Sequence, residues 1–325
     1  MRRASRIACA VLALASAQQT VGAERVGHDY PNRPIRFIVP VAPGGGVDTM
    51  ARTIGQLLTG RIGQSVIIDN RGGGGGSVGA QLTAQATADG YTVMVTSSSF
   101  LIHSLLYRTS YDPARDFSAV TQLVQHPYVL VVNANVPAAT AREFIAWAKT
   151  STRGVNYASS GSGSLLHLSG ELFNATTGLK MVHIPYKGLA LAFPDIFSGQ
   201  VQTAFSSILT SLPHITSGRL RALGVTSLKR TSRLPDTPTL DESGVPKFEV
   251  TQWYGVFAPA RTPALAVTRL QKEIASVLTQ PETAGQIAAE GSLAVGSSPV
   301  EFAQAVRTER SKWADVIRQT GIRGE

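Results

Sequence analysis

The sequence predicts an α/β protein with mainly parallel sheets. Short apolar runs typical of strands alternate along the chain with stretches whose apolar residues recur at helical spacing. Several of the strand-like runs also end in loops of glycine, serine and threonine, which precede the next helical stretch. The chain has 325 residues, of which 43% are hydrophobic. It is therefore long enough for two medium-sized domains.

The first predicted elements alternate between strand and helix. A strand is expected at residues 35–39, and a helix at residues 48–60. Further strands are expected at residues 66–68, 91–95 and 129–132. The apolar face of the helix would consist of Met50, Ile54, Leu57 and Leu58.

Two capping boxes predict helix starts later in the chain. Thr140 with Glu143, and Ser298 with Glu301, match the Ser/Thr-x-x-Glu pattern ahead of apolar helical faces. The last helix carries an apolar stripe formed by Phe302, Val306, Trp313 and Ile317.

Two places predict that the chain crosses between lobes. A new series of strands and helices begins near residues 125–127, and the turn-rich residues 234–246 end shortly before Trp253. We therefore expect one discontinuous lobe, residues 24–126 plus 251–325, and a second lobe, residues 127–250.

The first 23 residues have the features of a cleavable secretory signal peptide. Arg2, Arg3 and Arg6 are basic, residues 7–17 are apolar, and small residues around Ala23 suit cleavage. The apolar run is too short for the ~20 residues of a membrane span. The mature protein is therefore expected in the periplasm.

The single cysteine, Cys9, lies within this segment. The mature chain would thus lack disulfides, thiol catalysis and cysteine-ligated metal, which suits an oxidising compartment. The formal net charge is +9, and cleavage would remove three of its arginines. The remaining basic residues are dispersed, without a basic run or interleaved aromatics, so nucleic acid is not expected as a partner.

Four loops at predicted strand ends are candidates for ligand binding, namely residues 43–49, 70–79, 96–99 and 159–164. In open α/β sheets ligands lie at the carboxyl ends of strands. Small residues expose backbone N–H groups there, and a following helix N-terminus favours negative charge. A carboxylate suits these donors, although each loop taken alone is as well explained as a simple strand end.

Nucleotide binding is poorly supported by the glycine-rich loop. Gly74, Gly76 and Gly79 fit G-x-G-x-x-G, but five consecutive glycines make that match nearly automatic. The motif follows the second strand, and Asp89 comes too early for the acidic residue expected ~20 positions on. No G-K-[ST] follows either glycine cluster, which excludes a Walker-type phosphate loop.

Hydrolase and metal chemistry are also poorly supported. The chain has no G-x-S-x-G elbow and no HExxH motif, and His167 and Glu171 lack an evident third ligand. His103, His167 and His183 are interpreted as polar contacts or partly buried imidazoles. Lys187 could face an anion or could be a solvated turn residue.

Several segments resemble the Bug family, the periplasmic receptors of tripartite tricarboxylate transporters. They include "YPNRPIRFIVPVAPGGGVDTMAR", "VIIDNRGGGGGSVGAQ", "VNYASSGSGSLLHLSGELF", "MVHIPYKG", "GRLRALGVTS" and "WYGVFAPARTP". The resemblance covers nearly all of the mature chain in order. It implies two α/β lobes of the periplasmic binding protein fold, with a small carboxylate held in the cleft by backbone N–H groups, hydroxyls and water.

The resemblance also implies the ligand-binding positions. The first lobe would supply Gly45, Gly46, Asp48, Thr49, Gly74, Gly75, Gly76, Ser77, Ser97, Ser98 and Ser99. The second lobe would supply Ser162, Ser164, His167, Tyr186, Lys187 and Gly188.

The chain also departs from the family pattern. Val47 stands where the family often has Thr, and Gly72 where it usually has Pro. The other departures are Leu189, Leu191, Phe193 and Gln202. The apolar ones predict a more apolar cleft wall and a preference for a less charged or aromatic acid.

The resemblance implies a non-catalytic receptor. It would bind a di- or tricarboxylate, an acidic amino acid or an aromatic acid, close by hinge motion and deliver the ligand to membrane transporter subunits. No metal or cofactor is expected, and the chain should act as a monomer. Two alternatives stay open, an exported sensor that presents a bound carboxylate to a membrane kinase and an exported oxidoreductase that uses the glycine-rich loop.

Overall fold

The computed structural model describes residues 30–289 and 291–324. The predicted signal peptide, residues 1–23, lies outside the described residues. The strands are β1 Ile35–Val39, β2 Val66–Asn70, β3 Thr92–Ser97, β4 Phe117–Asn133, β5 Asn156–Ser159, β6 Val182–Pro185, β7 Thr203–Ser207, β8 Leu220–Val225, β9 Thr251–Pro259 and β10 Leu293–Ala294. The α-helices are α1 Gly46–Ile62, α2 Ser77–Ala84, α3 Ser99–Leu106, α4 Ala141–Thr150, α5 Leu165–Thr177, α6 Phe193–Ser198, α7 Ile208–Thr216, α8 Ala264–Leu278, α9 Pro281–Ala289 and α10 Pro299–Thr320.

The expected α/β class is confirmed, and the sheet contains both parallel and antiparallel strand pairs. The described strands follow the order β2-β1-β3-β9-β4-β7-β5-β6, and β8 and β10 also pair with β4. β1 pairs in parallel with β2 and β3, and β5 pairs in parallel with β6 and β7. Between these two parallel groups, β4 and β9 run antiparallel to their neighbours.

Strand β4 connects the two parallel groups. Its first part, Phe117 to Pro127, pairs with β9, whereas residues from Tyr128 onward pair with β7 and β8. The chain returns at β9, where Thr251 lies opposite Pro127. In each parallel group, the strands next to β4 and β9 therefore end near the point where the chain crosses between the groups.

The first helix forms where the sequence predicts it. Predicted at residues 48–60, α1 begins at Gly46 and ends at Ile62. Ile54 and Leu58 are fully buried against the strands. Gly63 ends the helix in the left-handed region, with φ 67°, and its N–H donates to the Thr59 carbonyl at 3.2 Å.

One of the two predicted capping boxes is complete. Ser298 Oγ accepts the Glu301 N–H at 3.3 Å, and the Glu301 carboxylate accepts the Ser298 N–H at 2.8 Å. At the other site Thr140 caps α4, but the Glu143 carboxylate accepts the N–H of Ala139 instead. Both helices begin where the sequence predicts.

The C-terminal helix α10 joins two cores. Phe302 packs with Trp253 and Phe257 from β9, whereas Trp313 belongs to the core around β5, β7 and α5. Both Phe302 and Trp313 are fully buried. Among residues 30–289 and 291–324, no helix combines the length and apolar character that crossing a bilayer requires.

Candidate functional site

A cavity of about 610 Å³ lies between the strand ends of the two parallel groups. Five of the sequence-predicted residues line it, namely Gly75, Ser99, Ser162, Ser164 and Gly188. Gly75 and Ser99 follow β2 and β3, and the other three follow β5 and β6. The structure therefore brings together loops more than 60 residues apart in the chain.

A smaller cavity of about 30 Å³ adjoins the first one and shares Gly75 and Ser99 with it. Two more predicted residues, Gly76 and Ser97, line this cavity. The ends of β2 and β3 thus contribute to one continuous set of surfaces.

The first predicted loop lies outside both cavities. The Asp48 carboxylate accepts the Gly44 N–H at 2.8 Å, Arg52 Nε at 3.0 Å and Asn70 Nδ2 at 2.9 Å. These hydrogen bonds, with that from Arg52 the largest contribution, hold the pKa of Asp48 at about 2 despite burial. The Asp48 carboxylate therefore stabilises the start of its own helix, α1, and connects it to the end of β2.

The other residues of that loop have separate roles. Gly45 and Thr49 are exposed, and the Thr49 N–H donates to the Gly45 carbonyl at 2.9 Å. Gly46 is exposed as well, and a side chain there would collide with the Tyr254 hydroxyl.

Six further predicted residues also lie outside the cavity walls: Gly74, Ser77, Ser98, His167, Tyr186 and Lys187. Ser98 is fully buried, and its N–H donates to the Trp253 carbonyl at 3.1 Å. Tyr186 donates to Asp195 at 2.6 Å, whereas Lys187 is exposed. Gly74 begins the short 3₁₀ helix that leads into α2, and Ser77 is the first residue of α2.

Three helices begin at the cavity. Ser99 is the first residue of α3, Ser164 is the N-cap of α5, and Ser207 is the N-cap of α7. The Ser164 and Ser207 hydroxyls accept the third N–H of their helices at 3.2 Å. The Ser164 hydroxyl can still donate its own hydrogen, whereas the Ser207 and Thr210 hydroxyls also bond to each other. The helix ends add N–H donors and a positive helix dipole, which suit an anion.

Sequence reasoning missed several lining residues. Ser206 and Ser207 are the last residues of β7, and Thr210 lies in the first turn of α7. This run of small polar residues between a strand and a helix is similar to the four candidate loops. Tyr128 and Gln252 also line the cavity, and the Tyr128 hydroxyl donates to Gln252 Oε1 at 3.4 Å. Only the pairing of β4 with β9 brings these two residues together, so no local signal predicts them.

Hydroxyl groups dominate the polar part of the wall. They belong to Ser99, Tyr107, Tyr128, Ser160, Ser162, Ser164, Ser206, Ser207 and Thr210. None of the described lining residues is Asp, Glu, Lys or Arg. Burial lowers the pKa of His103, so this lining imidazole is neutral at pH 7.

The rest of the wall is apolar. The side chains come from Ile102, Leu106, Leu165, Leu166 and Leu189. Leu189 thus contributes to the apolar wall that its departure from the family pattern predicted. In contrast, Leu191 is 62% exposed, and Phe193 packs against Phe197 and His214.

Two further departures are structural. Gln202 Oε1 accepts the Asn156 N–H at 2.7 Å, and its Nε2 donates to the Gly199 carbonyl at 2.7 Å. Val47 is buried in the core beneath α1. Neither side chain lines the cavity.

A second cavity of about 590 Å³ lies between α3 and α10. Its wall includes Leu105, Phe117 and Val306, with Arg307 and Arg310 among the polar residues. It contains none of the sequence-predicted residues. Across the described part of the chain, no group of three His, Cys, Asp or Glu side chains could hold a metal ion.

Comparison with known proteins shows a family match and similar solved structures. Residues 50–322 match the family described as tripartite tricarboxylate transporter family receptor. Protein BugT of Bordetella pertussis is 35% identical over 317 residues, covering 97% of each chain. The solved structure of R. palustris Rpa4515 with adipate is 35% identical, covers 91% of this chain and 99% of its own, and has a TM-score of 0.73. MatC from Rhodopseudomonas palustris with bound malate is 31% identical, covers 89% of this chain and 100% of its own, and has a TM-score of 0.69.

Proposed function

This chain belongs to the tripartite tricarboxylate transporter receptor family, and on that premise we propose that it captures a small organic carboxylate in the 610 Å³ cavity. The resemblance found in the sequence motifs is confirmed. The chain is a solute-binding receptor, and its family places it in the periplasm. Its relatives are binding receptors rather than enzymes.

The observation that carries the proposal is the donor set of the cavity. Hydroxyls and three helix N-termini face a space whose described lining residues bear no formal charge. A carboxylate that leaves water must recover its lost hydrogen bonds. Each donor to a charged acceptor contributes about 1.5–3 kcal/mol, so several hydroxyl and N–H donors can replace an arginine.

The apolar wall narrows the ligand class. Leu106, Leu166 and Leu189 would contact the ligand body, and polar groups of a hydroxy-tricarboxylate would lose water there without replacement. We therefore expect an acid with an aliphatic or aromatic body. A volume of about 610 Å³ is within the usual range for small-molecule sites.

We further propose the lobe boundaries and the route of ligand delivery. One lobe would comprise residues 24–126 and 251–325, and the other residues 127–250. The change of strand partners at Pro127 and Tyr128 supports this division. Hinge closure about β4 and β9 would present the loaded monomer to membrane transporter subunits. Export would involve cleavage after Ala23.

A thermal-shift panel tests the proposed function. The mature protein is mixed separately with adipate, malate, glutamate, benzoate, citrate and NAD⁺, and hits are titrated by calorimetry. A ligand at a hundredfold excess over its Kd stabilises the folded state by about 2.7 kcal/mol. We expect adipate or benzoate to raise the Tm more than citrate does, and NAD⁺ to leave it unchanged. A Tm that responds to NAD⁺ alone would contradict the proposal.

A further inference from the structure

Two stacked imidazoles lie beneath the loop that follows β5. The ring centroids of His167, on α5, and His183, on β6, are 3.7 Å apart, and the ring planes differ by 7°. Neither ring lines the cavity. The loop above them does, through Ser160, Ser162 and Ser164.

Each imidazole is tied to this loop. His183 Nε2 is 2.6 Å from the Ser159 hydroxyl, which also accepts the Gly161 N–H at 3.0 Å. His167 Nδ1 accepts the Gly163 N–H at 3.0 Å. The bonds therefore fix the loop at its start, at Gly161 and at Gly163, between the serines that face the cavity.

The bond from Gly163 determines the protonation of His167. A backbone N–H can only donate, so Nδ1 must be the unprotonated nitrogen and the proton of the neutral ring lies on Nε2. A protonated His167 would lose this acceptor, and its own positive charge would lie directly against the stacked His183 ring. Burial lowers the pKa of His167 to about 4, which keeps the ring neutral near pH 7.

The loop needs such support because of its backbone. Gly161 and Gly163 have φ of 129° and 73°, conformations that glycine adopts freely and also leaves freely. A side chain on Gly163 would lie 2.7 Å from Leu106 of the opposite wall, so the loop packs closely against α3. Small displacements of Gly163 would move Ser162 and Ser164 relative to a bound anion.

We propose that His167 and His183 are positioning residues that hold the cavity loop in its binding conformation, with His167 acting through a neutral Nδ1 acceptor. This role rests on the proposed carboxylate receptor function. The two rings do not touch the ligand. They fix the geometry of the hydroxyls that do.

Substitutions at His167 separate the acceptor from the ring. In His167→Asn the side-chain oxygen can take the place of Nδ1, whereas His167→Leu has similar bulk and no acceptor. His214→Leu removes a histidine elsewhere in the same half of the chain and serves as control. Calorimetry with adipate should show at least roughly tenfold weaker binding for His167→Leu. His167→Asn should remain within about threefold of wild type, and His214→Leu should be unchanged.

Two measurements on the protein without ligand test the positioning role of His167 independently of the proposed carboxylate binding. In the wild type, ¹⁵N spectroscopy at pH 7 should find the His167 proton on Nε2, and the Gly163 amide should exchange more slowly than in His167→Leu. A proton on Nδ1, equal exchange in both proteins, or a His167→Asn variant as weak as His167→Leu would overturn the inference. Failure of wild type to bind any acid of the panel would refute the proposed function, while these two measurements would still decide the role of His167.

Discussion

At the scale of single residues, Asp48 shows why position in a glycine-rich loop does not determine contact with a ligand. The sequence places a carboxylate beside the glycines, where it would repel a bound acid. In the structure its oxygens accept bonds from Gly44, Arg52 and Asn70. Only 4% of the side chain is exposed. These partners account for the carboxylate without any ligand.

Replacing Asp48 by Asn should therefore reduce stability and leave selectivity unchanged. The variant loses charge-assisted bonds worth about 1–3 kcal/mol. The pKa of Asp48 falls from 3.8 unfolded to about 2 folded, so its contribution is complete above pH 3.8 and is lost as the pH falls toward 2. Chemical unfolding between pH 2 and 7 would check this. A changed preference between glutamate and a dicarboxylate without an amino group would instead show that Asp48 contacts the ligand.

At the scale of elements, strand β4 shows where sequence patterns stop being informative. The sequence predicts a strand at residues 129–132, but β4 begins at Phe117. The missed part contains Gln122, Gln125 and Pro127, which do not follow strand periodicity. Pairing with β9, including two register shifts, determines its course. The predicted strands β1, β2 and β3 were recognisable because each contains three consecutive apolar residues.

The junction of α10 with β9 depends on one buried carboxylate. Glu309 accepts hydrogen bonds from the indole N–H groups of Trp253 and Trp313, the latter at 3.0 Å. Burial raises the pKa of Glu309, and the hydrogen bonds from the two indoles lower it in part. Trp253 lies near the start of β9. Through its hydrogen bonds, Glu309 therefore connects the C-terminal helix to β9 beside the region proposed as the hinge.

Glu309→Leu should destabilise the protein by about 2–4 kcal/mol, because two buried indole donors lose their acceptor. Glu309→Gln retains one acceptor oxygen and should cost less. Urea unfolding followed by tryptophan fluorescence would measure both variants. Asp315→Asn, on an exposed part of the same helix, is the control and should stay within about 0.5 kcal/mol of wild type. A leucine variant as stable as wild type would contradict this account of the junction.

At the scale of the whole molecule, the site forms where distant strand ends meet. The loops after β2, β3 and β5 could be selected from the sequence because each is a run of small residues at a strand end. Their convergence depends on the order of strands around β4 and β9, which no local pattern encodes. For the same reason Tyr128 and Gln252, which are 124 residues apart, could not be recognised as neighbours.

The central claim is that a carboxylate is held in the cavity lined by Gly75. The most direct test is calorimetric titration of Gly75→Ala and Gly45→Ala with the acid of the panel that binds most tightly. Gly75 has φ of 64°, and a side chain there would collide with the His103 imidazole inside the cavity. Gly45 lies outside the cavity, and a Cβ added to it would be 3.9 Å from the nearest neighbouring atom. We predict at least roughly tenfold weaker binding for Gly75→Ala, and unchanged binding for Gly45→Ala. Replacement of the exposed Lys187 by Ala should matter less than Gly75→Ala. Wild-type affinity in a folded Gly75→Ala variant would contradict the account.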